Sequence, residues 1–145
     1  TKQIIIEYFT SLAMDNTINT INSFAKFYLD KMFIDSVFIQ LIFNKKNNTT
    51  SKISLDTKII LRDQVYDDIN ELSSSERQRV ELAFLLAINE MFHSPIVMLD
   101  EMFGNLDPTV NMEMLSFLKT CSTTKAFLII SHQCVQGLFD SIINV

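Results

Sequence analysis

Glycine and proline are almost missing from this chain, two of each among 145 residues. A glycine-rich phosphate cradle of the form Gly-x-x-x-x-Gly-Lys-Ser/Thr is therefore excluded, because the glycines stand far apart at Gly104 and Gly137. Tight turns must be made by Asn, Asp and Ser instead. Cysteine is equally sparse. Cys121 and Cys134 have no zinc-ligand spacing and make no disulfide scaffold, which points to a reducing, intracellular setting. No apolar run is long enough to span a bilayer and no secretory signal opens the chain, so no membrane partner is expected. Positive charge is in deficit, with 12 Lys and Arg against 17 Asp and Glu and a net charge of −5. That balance argues against a DNA-binding surface in this chain by itself, since phosphate backbones are gripped by clustered Lys and Arg. What is present is globular: 48% hydrophobic and 20% charged residues, enough for one domain with a real core. The first residue is Thr1 rather than Met, so a longer parent polypeptide is expected.

Periodicity divides residues 1–145 into three stretches of a single domain: helices at the end of an arm over 1–33, a β-hairpin over 34–66, and alternating helices and strands over 70–145. Apolar Ile18, Ile21, Ala25, Tyr28, Leu29 and Met32 recur in steps of three and four, which predicts a helix over 17–33. Asp15, Asn16 and Thr17 are candidates for its cap, with a separate earlier helix over 4–14. This helix is either an ordinary core element or the end of a long arm entering the domain. Residues 36–43 and 53–61 read as strands of an antiparallel hairpin around a polar turn at 44–48. Lys45, Lys46 and Lys52 make its tip basic, either as a solvated loop or as a nucleic-acid contact.

Ser73 with Glu76 three residues on is a capping box, worth about 1 kcal/mol to the helix that follows. That helix should run to about Met91, with Val80, Ala83, Phe84, Ala87, Ile88 and Met91 facing the core. Residues 96–99, after Pro95, form a short apolar run of the kind found in buried parallel strands. Asp107 followed by Pro108 opens a helix over 109–120. Residues 126–130 read as a second buried strand and 141–145 as a candidate third. Strands alternating with helices make the fold class α/β, with parallel strands between flanking helices.

Four places carry chemistry. Asp100 and Glu101 leave the carboxyl end of a strand, where open α/β sheets bind their ligands. One acid there can hold Mg²⁺ while the other polarises water as a general base. The helix N-terminus at Ser73, Ser74 and Ser75 offers free amides, a positive dipole end and a hydroxyl to a phosphate. Asp107 serves equally as a helix cap, and His93, near a helix end, complements the dipole. His132 follows a strand, a place where a lone histidine is usually structural. Arg77 and Arg79 read as a solvated or salt-bridged helix face.

In their order and separations, four segments resemble the signature, Walker B, D-loop and switch-histidine elements of the ABC ATPase superfamily. They are Leu72-Ser73-Ser74-Ser75-Glu76, Ile96-Val97-Met98-Leu99-Asp100-Glu101, Gly104-Asn105-Leu106-Asp107 and Ile129-Ile130-Ser131-His132. The resemblance covers roughly residues 15–145. A helix and two strands ahead of the signature, Glu76 in its fifth place and Phe103 before the D-loop are similar to the SMC (structural maintenance of chromosomes) branch. Within it the double-strand-break repair and recombination ATPases are nearest. In that branch a long coiled coil separates the P-loop lobe from this one.

The resemblance implies the C-terminal lobe of a P-loop NTPase head that hydrolyses ATP with Mg²⁺. Two heads would sandwich two ATP molecules. Asp100 would hold Mg²⁺, Glu101 and His132 would be catalytic, and Ser73, Ser74 and Ser75 would meet ATP bound by the opposite head. Gly104, Asn105 and Asp107 would communicate across the dimer. The implied partners are the missing P-loop lobe, a second head, DNA through the complete assembly and an attached nuclease. A transporter-type or other ABC ATPase is one alternative. Another is a non-hydrolysing ATP-dependent clamp on DNA. Ser74 and Ser75, where the family has two glycines, favour the clamp; Glu101 and His132 favour the enzyme.

Overall fold

The computed structural model describes residues 2–45, 53–104, 106–132 and 137–143. The chain opens with one long helix, α1 (Lys2–Met32). The separate helices expected over 4–14 and 17–33 are continuous, and Asp15, Asn16 and Thr17 cap nothing. The reason is local. Thr17 Oγ1 donates to Ala13 O at 2.9 Å, and Thr10, Thr20 and Ser23 also donate to the carbonyl one turn back. With the hydroxyls so satisfied and no Gly or Pro between residues 2 and 32, nothing breaks the helix.

Two strands follow, β1 (Val37–Lys45) and β2 (Ile53–Leu61), paired antiparallel from Val37↔Leu61 to Lys45↔Ile53. The basic tip at Lys46 and Lys52 lies outside the described residues; Lys45 ends β1. A third strand, β3 (Gln64–Tyr66), returns along β2 and was not expected. Its turn has positive φ at both Arg62 (51°) and Asp63 (63°), a two-residue hairpin of the primed type. Arg-Asp is not the Asn-Gly pattern that announces such a turn.

α2 (Ser74–Met91) begins at the Ser73 cap and packs on α1. Ala25 on α1 and Ala83 and Ala87 on α2 are fully buried, and small residues let helices approach closely. Leu82 and Leu86 join the core from α2, whereas Ile88, expected inside, is exposed. The helix ends in a Schellman arrangement. His93 N–H reaches Glu90 O at 3.0 Å and Ser94 N–H reaches Asn89 O at 3.2 Å, with His93 at φ 52° in the place glycine usually takes.

β4 (Ile96–Asp100), α3 (Pro108–Cys121) and β5 (Ala126–Ile130) form a strand–helix–strand unit with β4 and β5 parallel. Among the described residues only one face of this pair is covered. Val97 and Leu99 are buried, while Ile96, Met98, Leu128 and Ile130 are each more than half exposed. The expectation that both strands are buried is corrected on that face. Residues 141–143 form no strand.

Candidate functional site

The chemistry-bearing residues lie at the carboxyl ends of β4 and β5 and at the N-terminus of α2. Asp100 is the last residue of β4, paired with Ile130, and stands on the same open face as Met98 and Ile130. Its carboxylate is exposed, with no ion-pair partner among the described residues. Glu101 turns the chain out of the strand at φ 48°, a left-handed conformation that costs a non-glycine residue roughly 1–2 kcal/mol. It is held there by its own N–H on Ile130 O at 2.9 Å and by Gly104 N–H on its carbonyl at 3.2 Å.

The Glu101 side chain meets His132. Glu101 Oε1 and His132 Nε2 are 2.8 Å apart, although 31 positions separate them. Parallel pairing of β4 with β5 delivers both to one edge. Both are well exposed, at 59% and 89%, so the pair contributes little to stability and is open to a ligand.

The next turn is anchored by Phe103 and Leu106, both buried. Gly104 has an ordinary backbone conformation, and a Cβ there would stand 3.6 Å from Glu101 O, so neither space nor φ requires glycine. Asn105 lies outside the described residues. Asp107 caps α3, accepting from Thr109 N–H at 2.8 Å.

At the start of α2 the capping box is complete. Ser73 N–H and Ser73 Oγ donate to Glu76 Oε2 at 3.0 and 2.6 Å, and Glu76 N–H donates to Ser73 Oγ at 3.3 Å. These bonds, led by that from the Ser73 hydroxyl, hold the Glu76 carboxyl below its ordinary range against partial burial. Ser74 and Ser75 are the first two residues of α2 and have no positive φ. Their departure from glycine is thus one of bulk alone. Ser73 shares no hydrogen bond with Asp100, Glu101 or His132.

Arg79, read from sequence as part of a solvated or salt-bridged helix face, is half-buried. It donates to Met32 O at 3.1 Å and Ser75 Oγ at 3.2 Å and lies over the Phe33 ring. It therefore caps the end of α1 while touching the first turn of α2. Sequence reasoning also missed Arg62, whose Nε lies 2.6 Å from Asp35 and whose Nη2 lies 3.2 Å from Glu76. A half-buried carboxylate calls for a counter-cation, but nothing in the order of residues says which one reaches it.

The donors at the strand ends fit Mg²⁺. They are carboxylate oxygens, few in number, and Mg²⁺ usually keeps several waters and takes one or two carboxylates beside substrate phosphates. No cluster of three or more potential ligands occurs among the described residues.

Compared with solved structures, the chain superposes on the structure titled "Structural biochemistry of ATP-driven dimerization and DNA stimulated activation of SMC ATPases". The TM-score is 0.73 at 22% identity, covering 91% of this chain and 80% of that one. Its fold is that of an SMC ATPase head. An SMC head bound to the C-winged helix domain of ScpA matches with a TM-score of 0.64 at 20% identity, over 81% of this chain and 36% of that one.

No family model matches the sequence. Protein 050L of Invertebrate iridescent virus 6 is 28% identical over 148 residues, covering 93% of this chain. The thiamine import ATP-binding protein ThiQ of Escherichia coli K12 is 44% identical over 64 residues, 43% of this chain. The chain spans only 14% of the length of 050L and 26% of ThiQ. No helix among the described residues is long and apolar enough to cross a membrane.

Proposed function

We propose that this chain is the C-terminal lobe of an SMC-like ATPase head acting in DNA repair or recombination, driven by ATP-dependent engagement of two heads. The observation that carries the reading is the Glu101–His132 pair beside Asp100, at the ends of two parallel strands. Glu101 is the general base for the attacking water, and His132 orients that water and the γ-phosphate. Asp100 would hold Mg²⁺, which when bound would supply positive charge against the phosphates. Ser73 meets the γ-phosphate bound to the opposite head, which accords with its sharing no hydrogen bond with Asp100, Glu101 or His132 among the described residues.

The P-loop comes from a separate lobe. The uncovered face of β4 and β5 supports this, because parallel strands are almost always covered on both faces and a two-stranded sheet is marginal alone. A second head, DNA held by the whole assembly and an attached nuclease complete the partners. The likeness to ThiQ favours a second reading, a transporter-type ATPase. It covers 43% of this chain, whereas the likeness to the SMC head covers 91%.

The test is Glu101→Gln in the full-length protein. The amide keeps shape but not basicity, so turnover should fall by about 10²- to 10⁴-fold while ATP-bound, engaged heads accumulate, seen by light scattering. Unchanged turnover would remove Glu101 from the base role. Lost turnover without ATP-stabilised dimers would count against the two-head sandwich.

A further inference from the structure

Arg62 belongs to none of the motifs, yet it joins three elements. It sits in the β2–β3 turn at φ 51°, a conformation that β-turns ordinarily give to Gly or Asn. From there Nε reaches Asp35, ahead of β1, at 2.6 Å, and Nη2 reaches Glu76 Oε1, in the first turn of α2, at 3.2 Å. The other oxygen of Glu76 holds the amide and hydroxyl of Ser73. The relay therefore runs Asp35–Arg62–Glu76–Ser73, and Glu76 is only 13% exposed within it.

We infer that Arg62 is a positioning residue for the phosphate-facing end of α2, orienting Ser73 through Glu76 and supplying the cation that lets an acidic residue stand beside a bound phosphate. This rests on the reading of Ser73 as a γ-phosphate contact. The physical need is plain. Ser73 Oγ lies 2.6 Å from Glu76 Oε2. A phosphate oxygen bonded to that hydroxyl would stand within about 5 Å of a carboxylate. Like charges so close, with water excluded between two heads, repel unless a cation is fixed against one of them. Arg79 also lies near and its charge adds to that of Arg62 at the Glu76 carboxyl, but its hydrogen bonds go to Met32 O and Ser75 Oγ, and among the described residues it makes no ion pair with Glu76. Arg62 is the cation in contact with Glu76.

The fork of the guanidinium matters as well as its charge. One nitrogen is tied to Asp35 and another to Glu76, so the side chain is fixed at both ends; a lysine cannot make both bonds in this geometry. Arg62 is 62% exposed, and exposed ion pairs contribute little to stability. A purely structural role would therefore leave almost no trace, whereas a positioning role would alter the response to ATP.

The experiment uses the full-length protein with Arg62→Gln, Arg62→Lys, Glu76→Gln and the double variant Arg62→Gln/Glu76→Gln, with turnover and head engagement followed against ATP concentration. Arg62→Gln should raise the ATP concentration for half-maximal engagement about tenfold while turnover at saturation stays within about twofold. Arg62→Lys should fall between it and the wild type. The double variant should return to within about threefold of wild type, because the uncompensated charge is gone and glutamine still closes the capping box. Arg62→Gln indistinguishable from wild type, or a double variant no better than Arg62→Gln, would overturn the inference and leave Arg62 a surface ion pair. A wild-type protein that never engages with ATP would instead overturn the parent reading, and this inference with it.

Discussion

Ser73 illustrates how one side chain can be committed twice. Within its own chain the hydroxyl donates to Glu76 and receives the Glu76 amide. To donate to a phosphate it must release the carboxylate, while its oxygen can go on accepting the Glu76 amide; the carboxylate and the ligand compete for the hydroxyl proton and the cap is kept. Ser73→Arg separates the two roles. In the isolated chain it should cost about 1 kcal/mol through loss of the cap, measured by urea unfolding. In the full-length protein it should abolish engagement while leaving ATP binding at the P-loop nearly intact. Mixing Ser73→Arg heads with heads disabled in the P-loop puts both lesions on one composite site and leaves the other whole. Partial turnover, or at least better engagement than Ser73→Arg homodimers show, should reappear. Neither effect in mixtures shown to form heterodimers would leave Ser73 as an ordinary cap.

At the scale of elements, α1 is bound to the rest of the molecule by a polar joint as well as by packing. Tyr28 donates to Glu90 Oε1 at 2.7 Å, and Lys125, just before β5, reaches the same oxygen at 3.3 Å with only 8% of its side chain exposed. The hydrogen bond from Tyr28, then Lys125, holds the Glu90 carboxyl below its ordinary range, as Ser73 does for Glu76. Both folded-state values lie below the ordinary 4.5, so between the two the unfolded chain binds more protons. The stability these groups contribute is fully present above that ordinary value and is lost as the pH falls through the lowered folded values. The urea midpoint should be level above about pH 5 and decline below it. Glu90→Gln should lower the plateau and flatten part of the decline. A midpoint in Glu90→Gln that falls with acid as steeply as in wild type would remove Glu90 from the account.

The molecule as a whole is open. Its accessible surface is 10044 Å². A compact monomer of 16.7 kDa exposes about 7,600 Å². Part of the excess is the N-terminal half of α1, where Ile6, Tyr8, Phe9 and Leu12 are exposed; part is the bare face of β4 and β5. With no glycine-rich phosphate cradle in the sequence, the isolated chain should neither bind ATP at micromolar concentration nor release phosphate, as measured by calorimetry and a phosphate assay. Micromolar affinity in the isolated chain would overturn the composite site.

What the sequence determined by itself is what neighbours along the chain decide. The capping box at Ser73 and Glu76, the Asp107–Pro108 helix start, strands over Ile53–Leu61 and Ala126–Ile130, and the absence of a phosphate cradle are all matters of local spacing. Tertiary structure decided the rest, because it depends on residues that meet only through space. Tyr28 and Glu90 are 62 positions apart. Glu101 finds His132 only because β5 lies beside β4 in parallel register. Arg62 enters the relay only because a left-handed turn that its residue types do not announce aims it at Glu76. Which face of β4 and β5 is covered also could not be read from an apolar run, since strands apolar on both faces carry no alternation to mark the open side.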